Sequence, residues 1–167
     1  MEHGGLDALG IVRAFITNLE ALQIRQGAST ITQQLARSVF LTRERSYKRK
    51  IKEAILAVHM EKTLSKDKIL ELYLNEIYFG HGAYGVAAAA QTYCSKDLAT
   101  LSPAEAAFIV GLPKAPSSYS PFRHPKRSKK RLHHVLKRLR YEGFLTNAQY
   151  ETAITTPLKY RKPELEI

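Results

Sequence analysis

The chain has 167 residues, 44% hydrophobic and 25% charged, a composition that supports a sizeable globular core and excludes a disordered tail. Lys and Arg outnumber Asp and Glu by 26 to 15, a formal net charge of +11, which favours polyanionic partners: nucleic acid, an anionic membrane surface or a phosphorylated substrate. A single cysteine, Cys94, excludes an internal disulfide framework and gives no metal pattern, and no run approaches the roughly 20 apolar residues of a membrane span or the layout of a signal peptide.

In chain order the periodicity is helical almost throughout. Asp7 is placed to cap a first helix carrying Ile11, Phe15, Leu19 and Leu22 and ending near Gly27. Thr30 and Gln33 have the spacing of a capping box, and Ile31, Leu35 and Val39 are expected to line the apolar face of a second helix. A third starts near Ser46 with Ile51, Ile55 and Val58 as its apolar row; Ser65 starts a fourth with Ile69, Leu72, Tyr73 and Ile77. The loop FGHGAYG leads into the Ala-rich GVAAAAQTY, whose small residues predict a closely packed helix. Ser102-Pro103-Ala104-Glu105 combines a cap, an N1 proline and an N3 glutamate. Prolines cluster in GLPKAPSSYSPFRHP, which reads as a long ordered loop. Two more helices follow, one basic (Lys126 to Tyr141) and one opened by Thr146 and Gln149. With no convincing strand and no repeat, the expected fold class is all-α, one domain over residues 1–160, with 161–167 starting a linker or tail.

Candidate chemistry concentrates between Gly27 and Asn75. In STITQQLAR, Thr30, Gln33, Gln34 and Arg37 stand at i, i+3, i+4 and i+7, so a hydroxyl, two amides and a guanidinium share a face. That face is either the wet side of an amphipathic helix or a surface for a polyhydroxyl or phosphate ligand. Arg37, Arg43, Arg45, Lys48, Arg49, Lys50 and Lys52 then crowd around Glu44 and Glu53. Arg49 and Glu53, at i and i+4, form either a surface ion pair of about 0.3–0.5 kcal/mol or part of a site in which cations neutralise a diphosphate leaving group. In the second case the carboxylate handles a proton or orients the substrate. The segment GASTITQQLARSVF also has the outline of a helix-turn-helix recognition helix, and PKRSKKRLHHVLKRLR the charge to grip DNA phosphates, so a DNA-binding protein is the alternative; it leaves the FGHGAYG and GLPKAPSSYSP loops without a role. His133 and His134 point about 100° apart on a helix and do not clamp one metal ion, and no metal site is read.

Assembled, these segments resemble the family 51 glycosyltransferases, the peptidoglycan glycosyltransferase domain of class A penicillin-binding proteins and of their monofunctional relatives. The likeness runs from His3 to about Leu158. HGGLD is similar to the tail of the first family motif, E-D-x-x-F-x-x-H-x-G, with His3 and Gly5 in its last fixed positions; GASTITQQLAR is similar to the second, RKIKE (Arg49 to Glu53) to the third and KDKILELYLN (Lys66 to Asn75) to the fourth. RLHHVLKRL resembles the fifth, R-x-x-x-V-L-x-x-M, with Leu139 where Met is usual. The order of the set makes it specific.

The resemblance implies a lysozyme-like, mainly helical fold with a large lobe, a smaller membrane-dipping jaw and a cleft between them. It implies polymerisation of lipid II, a disaccharide-pentapeptide on undecaprenyl diphosphate, into glycan strands with inversion and release of undecaprenyl diphosphate. Carried over by position, Glu53 is a catalytic carboxylate near the donor diphosphate. His3, Ser29, Thr30, Gln33, Gln34, Arg37, Arg49, Lys50 and Asn75 then bind substrate, while Lys66 and Arg131 are structural positions of their motifs. Members usually carry Lys at the position of Arg37 and Phe-Gly at Cys94-Ser95. The implied partners are lipid II and the nascent glycan strand, the bacterial cytoplasmic membrane at whose outer face these enzymes work, moenomycin-type inhibitors and, in bifunctional members, a C-terminal transpeptidase domain; nucleic acid is not among them. The resemblance implies no definite cofactor, and a divalent cation, Mg or Mn, is compatible with the diphosphate. The family's general-base Glu and neighbouring Asp stand seven and six positions before His3, ahead of Met1, so the chain as written is expected to bind donor yet polymerise poorly.

Overall fold

A computed structural model describes residues 10–14, 16–17, 29–40 and 45–161. Among these, every regular element is helical: α1 (Ile31–Phe40), α2 (Tyr47–Thr63), α3 (Lys66–Glu76), α4 (Val86–Cys94), a 3-10 turn (Leu98–Thr100), α5 (Pro103–Gly111), α6 (Pro125–Tyr141) and α7 (Asn147–Thr155). Residues 10–14 and 16–17 are helical too. An isolated antiparallel bridge joins Tyr78 and Tyr84 across the glycine loop. The all-α class expected from periodicity is the one observed. Asp7, Phe15, Leu19, Leu22, Gly27 and the motif residue His3 lie outside the described residues.

The helices start where side-chain caps replace the backbone acceptors that a first turn lacks. Ser46 Oγ accepts from Arg49 N at 3.1 Å and Ser65 Oγ from Lys68 N at 3.2 Å. Ser102 with Glu105, Thr146 with Gln149, and Thr30 with Gln33 each exchange both bonds of a capping box.

The chain divides into two compact units. In the unit spanning residues 17–77, α1 packs on α2 and α3. Ile31, Leu35 and Ala36 of α1, Ala57 and Met60 of α2, and Ile69, Tyr73 and Leu74 of α3 are buried. Two expectations fail here. Val39 is 46% exposed, and the row Ile51, Ile55 and Val58 is 62%, 63% and 52% exposed. The covered row of α2 is instead Glu53, Ala57 and Met60, at the same i, i+4, i+7 spacing but two residues on, about 200° around the helix. Two rows of equal period compete on α2, and cations from α1 and α2 that converge on Glu53 go with the row that turns inward.

In the unit of residues 1–16 and 78–167, α5 packs against α4, α6 and α7. It is buried on all sides from Ala106 to Gly111, as a helix apolar all round should be. Arg131 Nε donates to the Gly111 carbonyl at 3.0 Å, and its guanidinium lies 5.4 Å from the Tyr119 ring centre, joining α6 to the end of α5 and to the proline loop. Ala89 and Ala90 of α4 are fully buried, the close packing that small residues permit. The glycine loop turns through positive φ at Gly80, His81 and Gly82. His81, the residue there with a Cβ, is held by edge-on contacts with Phe122 and Tyr93 and by a 2.8 Å hydrogen bond between Nε2 and Ser120 Oγ. The Tyr93 hydroxyl donates to the Phe79 carbonyl at 2.7 Å at the other side of the same turn.

Candidate functional site

The first turn of α2 and the body of α1 meet at one carboxylate. Glu53 is 1% exposed, yet three cations reach it: Arg37 Nη2 from α1 at 3.2 Å and Lys50 Nζ at 3.4 Å, both to Oε1, and Arg49 Nε at 3.9 Å from Oε2. The helical offsets of three and four residues bring Lys50 and Arg49 onto the Glu53 face, while Arg37 arrives across the α1–α2 contact. The arrangement carries two net positive charges. Arg37 and Lys50 are 42% and 55% exposed, so the cationic heads stand between the carboxylate and water.

A second row of contacts extends from this cluster along the start of α1. Lys50 Nζ also donates to Ser29 Oγ at 2.8 Å, and Gln34 Nε2 donates to the Ser29 carbonyl at 3.1 Å. The buried Tyr73 hydroxyl donates to Gln34 Oε1 at 3.4 Å and so orients that amide. Thr30 and Gln33 are engaged with each other in the capping box. Ser29, Gln34, Arg37, Arg49, Lys50 and Glu53 are therefore one connected network, with Thr30 and Gln33 at its edge. Among the described residues, Arg37 Nε, Arg49 Nε and Glu53 Oε2 are buried without a hydrogen-bond partner, the last two facing each other as an ion pair at 3.9 Å. The surplus positive charge is presented to solvent by Arg37 and Lys50, a pair suited to the oxygens of an anion.

The remaining sequence-derived positions lie elsewhere. Asn75, two residues beyond Tyr73 and about 200° around α3, is exposed. Lys66, with Thr32, Glu61 and Asp67, lines a separate cavity of about 450 Å³ that shares no residue with the Glu53 network. Arg131 binds Gly111 and Tyr119 in the other unit, and burial lowers its affinity for its proton. Sequence periodicity marks Tyr73 as an apolar-row residue only; its hydroxyl contact across 39 positions has no local signal.

A divalent cation fits this donor set poorly. Three cations already balance and exceed the Glu53 charge, and no trio of His, Cys, Asp and Glu suited to a metal occurs among the described residues. The helix-turn-helix alternative also lacks support: Gln33, Gln34 and Arg37, which a recognition helix would present to bases, are bonded to Thr30, Ser29 and Glu53.

Fold and site together define an all-helical protein with a cation-rimmed, buried carboxylate, and its sequence places it more narrowly. The chain belongs to the Transglycosylase family, whose profile matches residues 1–140. It is 56% identical over 160 residues to penicillin-binding protein 1A of Aquifex aeolicus, covering 96% of this chain and 22% of that protein. It is 46% identical over 159 residues to a Cupriavidus necator protein provisionally named a transglycosylase, covering 95% of this chain and 68% of the relative. The crystal structure of penicillin-binding protein 1A from Haemophilus influenzae superimposes with a TM-score of 0.56 at 35% identity, over 81% of this chain and 17% of that one. The chain thus spans about a fifth of the length of the penicillin-binding proteins it matches.

Proposed function

We propose that this chain is the donor-binding part of a peptidoglycan glycosyltransferase that polymerises lipid II and releases undecaprenyl diphosphate. The observation that carries this reading is the Glu53 network: two net positive charges over a buried carboxylate, with the cationic heads of Arg37 and Lys50 exposed above it. A diphosphate diester carries two negative charges, and planar guanidinium groups match its oxygens in pairs. In this role Arg37, Arg49 and Lys50 hold the diphosphate and stabilise the charge it gains on leaving. Glu53 is a positioning residue that aims the three cations, and Ser29 and Gln34 extend the polar surface toward the donor. Lysine at the position of Arg37 would offer a point charge; the guanidinium here bonds Glu53 through Nη2 while the side chain stays 42% exposed.

The outer face of a bacterial cytoplasmic membrane suits this reading. No helix among the described residues is long and apolar enough to cross a membrane, but α2 exposes the apolar row Ile51, Ile55 and Val58, which suits contact with lipid. The test is retention of radiolabelled lipid II in detergent by the wild-type chain and by Arg49→Ala and Glu53→Gln. A loss of at least tenfold in both variants is expected. Undiminished binding by both would remove the network from the donor site.

A further inference from the structure

The donor-site reading assigns the Tyr73 hydroxyl no part in holding the ligand. The residue is 6% exposed, and α3 carries it against α1. Burial raises the proton affinity of the phenol, so near neutral pH it keeps its O–H. A buried hydroxyl costs free energy unless it finds an acceptor, and among the described residues that acceptor is Gln34 Oε1 at 3.4 Å.

The bonds from Gln34 to Ser29 and to Tyr73 can be read in only one sense. A carbonyl only accepts, so the nitrogen of the Gln34 amide faces the Ser29 carbonyl, at 3.1 Å, and its oxygen faces Tyr73. The phenol must then donate. From Ser29 the chain continues: its Oγ accepts from Lys50 Nζ at 2.8 Å, and the same ammonium reaches Glu53 Oε1 at 3.4 Å. Ser29 stands two residues ahead of α1, so the carbonyl bond to Gln34 ties it to the first turn of that helix. One line of hydrogen bonds thus runs from a buried phenol on α3 to an exposed cation on α2.

We propose that Tyr73 is a positioning residue of the diphosphate site: its hydroxyl fixes the Gln34 amide, and through Ser29 the amide fixes the Lys50 ammonium over Glu53. The inference rests on the donor-site reading of that network. Lys50 is 55% exposed, and a surface lysine ordinarily samples many rotamers. Held by Ser29 on one side and Glu53 on the other, it presents its charge at one place, which lowers the ordering cost of binding a shaped anion. Without the hydroxyl, one of the bonds that orients the amide is gone and the Ser29 end of that clamp loosens.

Titration calorimetry of the 167-residue chain with a short-chain prenyl diphosphate tests this in wild type, Tyr73→Phe, Lys50→Gln and the double variant. Tyr73→Phe keeps the ring and removes only the hydroxyl; it should weaken binding about three- to tenfold, the range of one hydrogen bond. In the Lys50→Gln background the same change should weaken binding by less than about twofold, because the cation it positions is absent. The Gln34 side-chain amide signal should shift in the NMR spectrum of Tyr73→Phe. Tyr93→Phe removes a buried hydroxyl of the other unit, one bonded to the Phe79 carbonyl, and should leave the affinity unchanged. Equal affinity of Tyr73→Phe and wild type, or the same loss with and without Lys50, would overturn the positioning role and leave the donor site standing. No binding by wild type would remove the donor site and the positioning role with it.

Discussion

Replacing Glu53 by Gln keeps the shape of the side chain and removes its charge, which isolates what the buried carboxylate does for the fold. Two of its three partners, Arg37 and Lys50, are 42% and 55% exposed and regain water when the ion pairs break, so each contributes within the surface-pair range of about 0–1 kcal/mol. Arg49 is different: its side chain is 18% exposed, its Nε has no hydrogen-bond partner among the described residues, and its charge would stay half-dehydrated at a cost of about 1–3 kcal/mol. Relief of the dehydrated carboxylate itself acts in the opposite direction. The net destabilisation should be about 1–3 kcal/mol, carried mainly by Arg49. Urea unfolding of Glu53→Gln, Arg49→Ala and the double variant measures it, with m unchanged. The double variant should be destabilised by at least 1 kcal/mol less than the two singles predict. Additivity within about 0.3 kcal/mol would refute the claim that Glu53 and Arg49 act as a unit.

Ser95 ends α4 at φ 53°, a left-handed conformation that favours glycine, so Ser95→Gly should stabilise the chain by about 1 kcal/mol and raise Tm by roughly 2–4 °C; a fall in Tm would contradict the helix end described. Burial, then Glu105, pushes the Cys94 thiol up to about 11 against a partial opposing effect of Lys96, so at pH 8 iodoacetamide should alkylate it about 100-fold more slowly than an unperturbed thiol of pKa 9; comparable rates would show an open thiol. His81, His133 and His134 all bind a proton less readily folded than unfolded, the first through burial and then Arg123. The unfolded chain therefore holds more protons near pH 6, and stability present above the ordinary histidine value of about 6.5 is lost as pH falls through it. Calorimetric Tm should drop between pH 7 and 5, less steeply in His133→Gln/His134→Gln; a flat profile would contradict those shifts.

The helix starts are legible in the sequence because capping is local chemistry. Ser46, Ser65, Ser102 and Thr146 each need only an acceptor oxygen beside an orphan backbone N–H three residues on. The rotation of α2 is not legible. Ile51-Ile55-Val58 and Glu53-Ala57-Met60 have the same period, hydrophobicity favours the first, and the row that turns inward is the one whose Glu53 meets Arg37, which α1 brings from 16 residues upstream. The same limit applies to the site. The i, i+4 spacing of Arg49 and Glu53 is visible, but nothing local distinguishes a surface ion pair from a carboxylate 1% exposed among three cations. Long-range contacts such as Tyr73 with Gln34 and His81 with Ser120, each 39 positions apart, follow from tertiary packing alone.

Calorimetric titration of the chain with a short-chain prenyl diphosphate and with the matching monophosphate distinguishes a diphosphate site from a merely basic surface. If Arg37, Arg49 and Lys50 form the donor site, the diphosphate binds at one site per chain, at least tenfold tighter than the monophosphate, and Arg49→Ala abolishes that preference. Equal affinity for the two ligands, or a preference that survives in Arg49→Ala, would mean that the Glu53 network does not hold the donor.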